Sequence, residues 1–189
     1  MTAPALRTPR LALDAPADGD LPVIVALAGD RRIADTMISV PHPLDDDAAR
    51  AWLDRLRAGA SSGEARHWAL RDTAGGALLG MASLRAIDRE HEEAELSFWV
   101  GVPAWGRGYA TEAAAAVIAH AFTTEGLNRL VAHHMVRNPS SGHVLARIGF
   151  RREGLLRQRV RKWGVYEDVA LLALLREEWA GARLQMAID

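Results

Sequence analysis

Residues 95–125 read ELSFWVGVPAWGRGYATEAAAAVIAHAFTTE, and the fold turns on them. Leu96, Phe98 and Val100 alternate with Glu95, Ser97 and Trp99, which is the period of a strand. Ala113 to Phe122 is alanine-rich without Gly or Pro, which is the composition of a helix. Between them, Gly101 to Ala110 reads as a turn, with glycines at 101, 106 and 108 and a proline at 103. A strand that feeds a glycine turn opening a helix is suited to holding an anion. The first amides of a helix lack intrahelical partners, and the helix dipole adds roughly half a positive charge there. Glycine lets main chain approach a phosphate closely.

Working outward, composition narrows the classes. The chain has 189 residues, a formal net charge of -1, 49% hydrophobic and 25% charged residues, and no cysteine. This is the make-up of an ordinary globular domain, and residues 1–189 are expected to form one, with its core at about 8–180. Nothing resembles a polybasic arm, so neither nucleic acid nor a membrane is expected as a partner. Without cysteine there is no disulfide framework and no thiolate nucleophile. The proline-bearing N-terminus is not a signal peptide, and no apolar run reaches the roughly 20 residues of a membrane helix, so a cytoplasmic location is expected. The histidines are scattered or, at 133 and 134, adjacent and opposed on a strand; no metal is expected.

Before the central stretch, Thr8 to Leu13 reads as a strand and Asp18 to Ala28 as a helix with Asp18 or Asp20 as N-cap. A short helix at Arg31 to Met37, a loop at Val40 to Pro43 and a helix at Asp45 to Arg57 follow, with Ala58 to Gly63 as a flexible connection. Arg66 to Arg71 and Leu78 to Ile87 read as strands joined through Asp72–Gly76, and Asp88 to Glu92 as a polar turn. After the central helix, Gly126 suits a C′ position. A strand at Asn128 to Val136, a helix at Pro139 to Ile148, strands at Phe150 to Val160 and Tyr166 to Leu174, and a tail at Glu177 to Ala182 complete the chain. Strand, helix and strand around the Ala-rich segment imply a parallel pair in an otherwise antiparallel sheet.

The loop lacks the Gly-Lys-Ser/Thr of a Walker A motif, and Gly106-x-Gly108 is followed at the third place by Thr111, so the dinucleotide fingerprint also fails. Trp105-Gly106-Arg107-Gly108-Tyr109-Ala110 instead resembles the acyl-CoA pyrophosphate loop of the GNAT superfamily of N-acetyltransferases, Gln/Arg-x-x-Gly-x-Gly/Ala. Trp105 departs from its first place, while Gly108 and Ala110 match its last two. Continued through Thr111-Glu112-Ala113, the string is similar to that of the Rim-type branch, which acetylates ribosomal-protein N-termini. Asn138 to Phe150 resembles a second segment of that superfamily, with Asn before a helix and Gly-Phe after it.

The resemblance covers nearly the whole chain. It implies an α/β (α+β) GNAT fold with a mixed, mostly antiparallel sheet of about seven strands and helices on both faces. It implies acetyl-CoA as co-substrate, with the amides of residues 105–111 on the pyrophosphate and Asn138 and Ser141 at the pantetheine end. Main-chain N–H groups near Trp99 and Val100 would polarise the thioester carbonyl. An amine acceptor is implied, either a protein N-terminus or a small molecule, and a homodimer is compatible with the branch. Glu95 is the first choice for general base, with Glu93 in reserve; both read equally as exposed strand-entry charges. Where many members carry a thiolate-protonating Tyr, this chain has Leu145, and Ser141 is the alternative donor. Asn138 also reads as a plain helix cap, and the arginines of 151–161 as a solvated edge. Leu145 leaves open a non-catalytic acyl-CoA-binding module.

Overall fold

The structure is a computed structural model that describes residues 3–38 and 40–180. One eight-stranded sheet organises it, in the spatial order β1-β2-β3-β4-β5-β6-β8-β7. Its strands are β1 (Leu6–Arg7), β2 (Leu11–Asp14), β3 (Arg66–Asp72), β4 (Leu78–Asp88), β5 (Glu93–Val100), β6 (Arg129–Met135), β7 (Arg151–Lys162) and β8 (Val165–Leu175). All neighbours are antiparallel except β5 and β6, which are parallel and joined by the central helix. The eighth strand beyond the sequence reading is the two-residue β1, too short to leave a periodic signal.

The helices α1 (Leu21–Ala28), α2 (Arg31–Ala34), α3 (Asp46–Ser62), α4 (Tyr109–Thr123) and α5 (Pro139–Arg147) cover the sheet. Three sequence expectations need correction. Residues 58–62 are not a flexible connection but the end of α3, because nothing in Ala-Gly-Ala-Ser-Ser breaks the helix before Gly63 turns left-handed at φ 86°. The turn expected to last to Ala110 ends at Gly108, and α4 starts at Tyr109. Near the N-terminus, neither Asp18 nor Asp20 caps α1 with its side chain; Asp20 accepts from the Ala17 amide instead, at 2.8 Å. Asp45 does cap α3, accepting from the Ala48 amide at 2.8 Å. The expected tail reaches residues 181 and 182, which lie outside the described residues.

The two faces of the sheet carry separate cores. On one, α4 and α5 pack on Trp68, Leu84, Leu96 and Leu130 through Val117, Ile118 and Leu145. On the other, α1 and α3 bring Ile24, Trp52 and Leu53 onto Met81 and Trp99. The sheet is tight where β4 meets β5. A Cβ on Gly80 would stand 2.1 Å from the Trp99 carbonyl oxygen and 2.8 Å from Val100 Cα. Both are main chain, so neither can step aside. Gly80→Ala is therefore expected to cost about 1–3 kcal/mol, read as a lower melting temperature.

On the α1–α3 face, His67 and Ser83 lie opposite each other and share a hydrogen bond of 2.8 Å between Nδ1 and Oγ. Burial, with Arg85 adding repulsion, pushes the His67 imidazole down to about 4. An unfolded chain takes up that proton near pH 6.5, so stability is lost as pH falls from about 6.5 toward 4. The loss is on the order of 3 kcal/mol. His67→Gln is expected to flatten the fall in melting temperature over that window.

Candidate active site

β5 and β6 are hydrogen-bonded only at their start, where Glu93, Ala94 and Glu95 face Arg129, Leu130 and Val131. Past that last rung the strands part, while β5 keeps its pairing with β4 through Val100. A cleft of about 640 Å³ opens in the gap. The loop after β5, the first turn of α4, the first turn of α5 and α2 border it. The bulge in this part of the sheet falls on β4, between Arg85 and Asp88.

The loop is built from main chain. Gly106 and Gly108 sit at φ 74° and 79°, a conformation that strains other residues. Gly108 is the N-cap of α4 and, lacking a side chain, leaves the first-turn amides of Tyr109, Ala110 and Thr111 uncapped. Trp105, half exposed, donates its indole N–H to the Val100 carbonyl at 2.6 Å and so ties the loop to the strand. The Arg107 side chain is exposed. Its carbonyl accepts from Arg10 Nη1 at 2.9 Å.

Arg10 and Glu112 were not legible in the sequence. Glu112, in the first turn of α4, accepts from Thr8 Oγ1 at 2.6 Å, the Arg10 amide at 2.9 Å and Arg10 Nε at 2.7 Å. Burial alone would raise the Glu112 carboxyl; the bonds from Thr8 and Arg10 outweigh it and hold the group below its usual range. The Arg10 guanidinium lies 4.7 Å from the Tyr109 ring centroid, so that ring packs. The start of β2 thus anchors both sides of the loop.

Asn138 caps α5. Its Oδ1 accepts from the Ser141 amide at 3.4 Å, and its Nδ2 donates to Ser141 Oγ at 2.9 Å. The cap and the site reading therefore share one geometry: Ser141 Oγ accepts from Asn138, which leaves its own proton to donate toward the cleft both residues border. Leu145 is 1% exposed and belongs to the core. Trp99 and Val100 are buried side chains of the two cores, so only their main chain is available to a ligand.

Glu95 borders the cleft and accepts from Arg85 Nη2 at 2.5 Å. Burial raises its carboxyl, but His133 and Arg85 outweigh burial and hold it below the usual range. Glu93 does not border the cleft. It faces Arg129 Nε at 2.6 Å, at the closed end of the gap. The two adjacent histidines of β6 do face opposite ways. His133 Nδ1 stands 3.5 Å from Glu95 Oε1. His134 Nδ1 meets the Met135 carbonyl at 2.9 Å, and its ring lies against Gly142 of α5. Among the described residues no group of three or more His, Cys, Asp or Glu is placed to hold a metal. The arginines of 151–161 lie along the exposed strand β7 and none borders the cleft. Among the described residues no helix is long and apolar enough to cross a membrane.

The α2 side of the cleft is fastened to the far end of the sheet. Lys162 Nζ donates to the Met37 carbonyl at 2.7 Å, and Arg137 bridges Asp35 at 2.5 Å and Glu167 at 2.8 Å.

A split between parallel strands, with an uncapped glycine-led helix at its mouth, suits an extended ligand that carries an anionic group. The acetyltransferase (GNAT) domain model matches residues 10–151, and the chain belongs to that family. It is 36% identical over 104 residues to the uncharacterized N-acetyltransferase p20 of Bacillus licheniformis, covering 55% of this chain and 58% of that protein. It is 30% identical over 122 residues to the [ribosomal protein uS5]-alanine N-acetyltransferase of Escherichia coli (strain K12), covering 64% of this chain and 63% of that protein. These matches thus span less than two thirds of the relatives' own lengths. Mycobacterium smegmatis RimJ, solved in complex with CoA-disulfide, superposes with a TM-score of 0.84 at 26% identity, covering 99% of this chain and 94% of that one.

Proposed function

We propose that residues 8–180 form one catalytic unit that moves the acetyl group of acetyl-CoA to a primary amine, in the manner of the Rim-type branch. The observation that carries this reading is the uncapped first turn of α4 opening directly onto the gap between β5 and β6. A diphosphate fits the amides of residues 108–111, with Gly106 giving it room. A pantetheine arm then fits the gap and brings the thioester toward the closed end, where Glu95 stands. The amine nitrogen attacks the thioester carbon. Main-chain N–H groups near Trp99 and Val100 stabilise the oxyanion, the C–S bond breaks, and Ser141 Oγ–H donates to the departing thiolate. A thiolate with a pKa like the roughly 8.5 of cysteine needs only such modest help. The acceptor is an amine of a protein N-terminus or of a small molecule. The relatives named for ribosomal-protein acetylation support the first.

Binding without turnover is the second reading, and Leu145, an apolar side chain at the place of the family's frequent Tyr, favours it. One experiment separates them: release of free CoA thiol from acetyl-CoA with a panel of amines that includes peptides with free α-amines and spermidine. The transferase reading expects thiol release that depends on one class of amine. Tight acetyl-CoA binding with no release for any amine would leave the binding module standing.

A further inference from the structure

The amine's proton must leave through a group inside the cleft, and we infer that this group is His133 Nε2, with Glu95 as the residue that positions the ring. The inference rests on the acetyltransferase reading above.

Register places the pair. Glu95 and Val131 form the last rung between β5 and β6. His133 is two residues farther along β6, on the same face, and is the first such side chain past that rung. Both residues border the cleft at its closed end. His133 Nδ1 looks at Glu95 Oε1 across 3.5 Å. A carboxylate at Nδ1 fixes the tautomer with the proton on that nitrogen and leaves the Nε2 lone pair for another partner. Across the strand pair, β8 offers Leu171, which carries no competing donor.

Glu95 is poorly suited to take the proton itself. Its Oε1 already accepts from Arg85 Nη2 at 2.5 Å and faces His133 as well. Held as an anion between two cations or donors, it is a weak proton acceptor near neutrality but a strong orienting charge. His134 is excluded by geometry, since its ring lies on the opposite face against α5. The other charged groups bordering the cleft are Arg85 on β4, Arg32 on α2, which pairs with Asp30 at 2.7 Å, and Arg147 on α5. Glu95 is therefore the carboxylate that can hold an imidazolium at this spot.

The proton balance is simple. As the amine nitrogen bonds to the thioester carbon, one N–H proton passes to His133 Nε2. The imidazolium is stabilised by Glu95. The C–S bonding pair leaves with sulfur, the thiolate takes one proton from solvent, and the imidazolium returns the amine's proton to solvent, so none is gained or lost. The products are the amide and CoA thiol.

Thiol release from acetyl-CoA is measured against pH, with an alanyl peptide and with spermidine, for the unsubstituted protein, His133→Gln and Glu95→Gln. For His133→Gln, kcat is expected to fall at least about a hundredfold, with the KM for acetyl-CoA within about twofold. For Glu95→Gln the loss is smaller, because the imidazole is still present but has lost the carboxylate that orients it. Added imidazole is expected to restore rate to His133→Ala, which a merely structural histidine would not allow. The inference is overturned if His133→Gln keeps its kcat within about threefold. It is equally overturned if imidazole restores nothing to a His133→Ala protein that still binds acetyl-CoA. Failure of the unsubstituted protein to release thiol with either amine would instead bring down the acetyltransferase reading, and this inference with it.

Discussion

Thr111→Asp is expected to raise the KM for acetyl-CoA about a hundredfold while leaving the melting temperature unchanged or slightly higher. Thr111 sits in the first turn of α4, borders the cleft and is only partly buried, so a side chain of similar size fits. For the fold, a carboxylate there is favourable: it faces the positive end of the helix dipole and is worth about 0.3–1 kcal/mol. For a diphosphate it is the reverse. Like charges about 4 Å apart repel by about 4 kcal/mol at the effective dielectric of a protein surface. Partial screening leaves about 3 kcal/mol, which is the hundredfold. Stability and affinity moving in opposite directions would be hard to obtain if the anion bound elsewhere. An unchanged KM for acetyl-CoA would remove the helix mouth from the mechanism. Thiol-release rates against acetyl-CoA concentration, beside a melting curve, read both quantities.

The largest effect on stability is expected from Glu125→Ala, about 3–5 kcal/mol. Glu125 follows the C-terminal end of α4, the end of a helix where a negative charge is least welcome. It is kept there by three partners. Arg66 Nε on β3 meets it at 2.9 Å, His120 Nε2 at 3.3 Å, and Arg89, from the turn between β4 and β5, donates to its other oxygen. The Arg66 side chain is 4% exposed and that of Glu125 10%, so deletion of the carboxylate strands a guanidinium in the interior. Its remaining bonds, to the Ala65 carbonyl at 2.9 Å and the Gly63 carbonyl at 3.4 Å, do not neutralise it. At roughly 2–4 °C per kcal/mol for a chain of this size, the melting temperature should drop by about 10 °C. Glu125→Gln, which keeps the oxygen acceptor, should lose less. A Glu125→Ala protein that melts with the parent would mean that Arg66 finds other compensation.

The central strand, loop and helix were legible because each has a local cause: alternation in Glu95 to Val100, glycines at 106 and 108, alanines from 113 onward. The start of α4 was misjudged because Tyr109, Ala110 and Thr111 look like the continuation of a glycine turn. Gly108, left-handed at φ 79°, completes the turn by itself. The Arg10–Glu112 anchor was invisible because its partners are separated by 102 positions and only the finished sheet brings them together. Glu93 and Glu95 share a strand face, so alternation could not separate them. What separates them is where β6 departs. His133 was read only as a metal candidate. The parallel pairing of β5 with β6, itself inferable from the helix between them, would have set it beside Glu95.

The parting of β5 from β6 gives this sheet a pair of edges in its own interior. Outer rims can be guarded by brevity, as in β1, or by arginines, as in β7. On the inner rims the pairing of β5 with β6 stops after Glu95 and Val131, and the Trp105 indole meets the Val100 carbonyl at the far end of β5. A slender guest with peptide-like groups of its own, which a pantetheine chain is, would restore the missing stitches and knit the two halves of the molecule together. Supply of the coenzyme would then set not only how fast the protein works but how firmly it holds its shape.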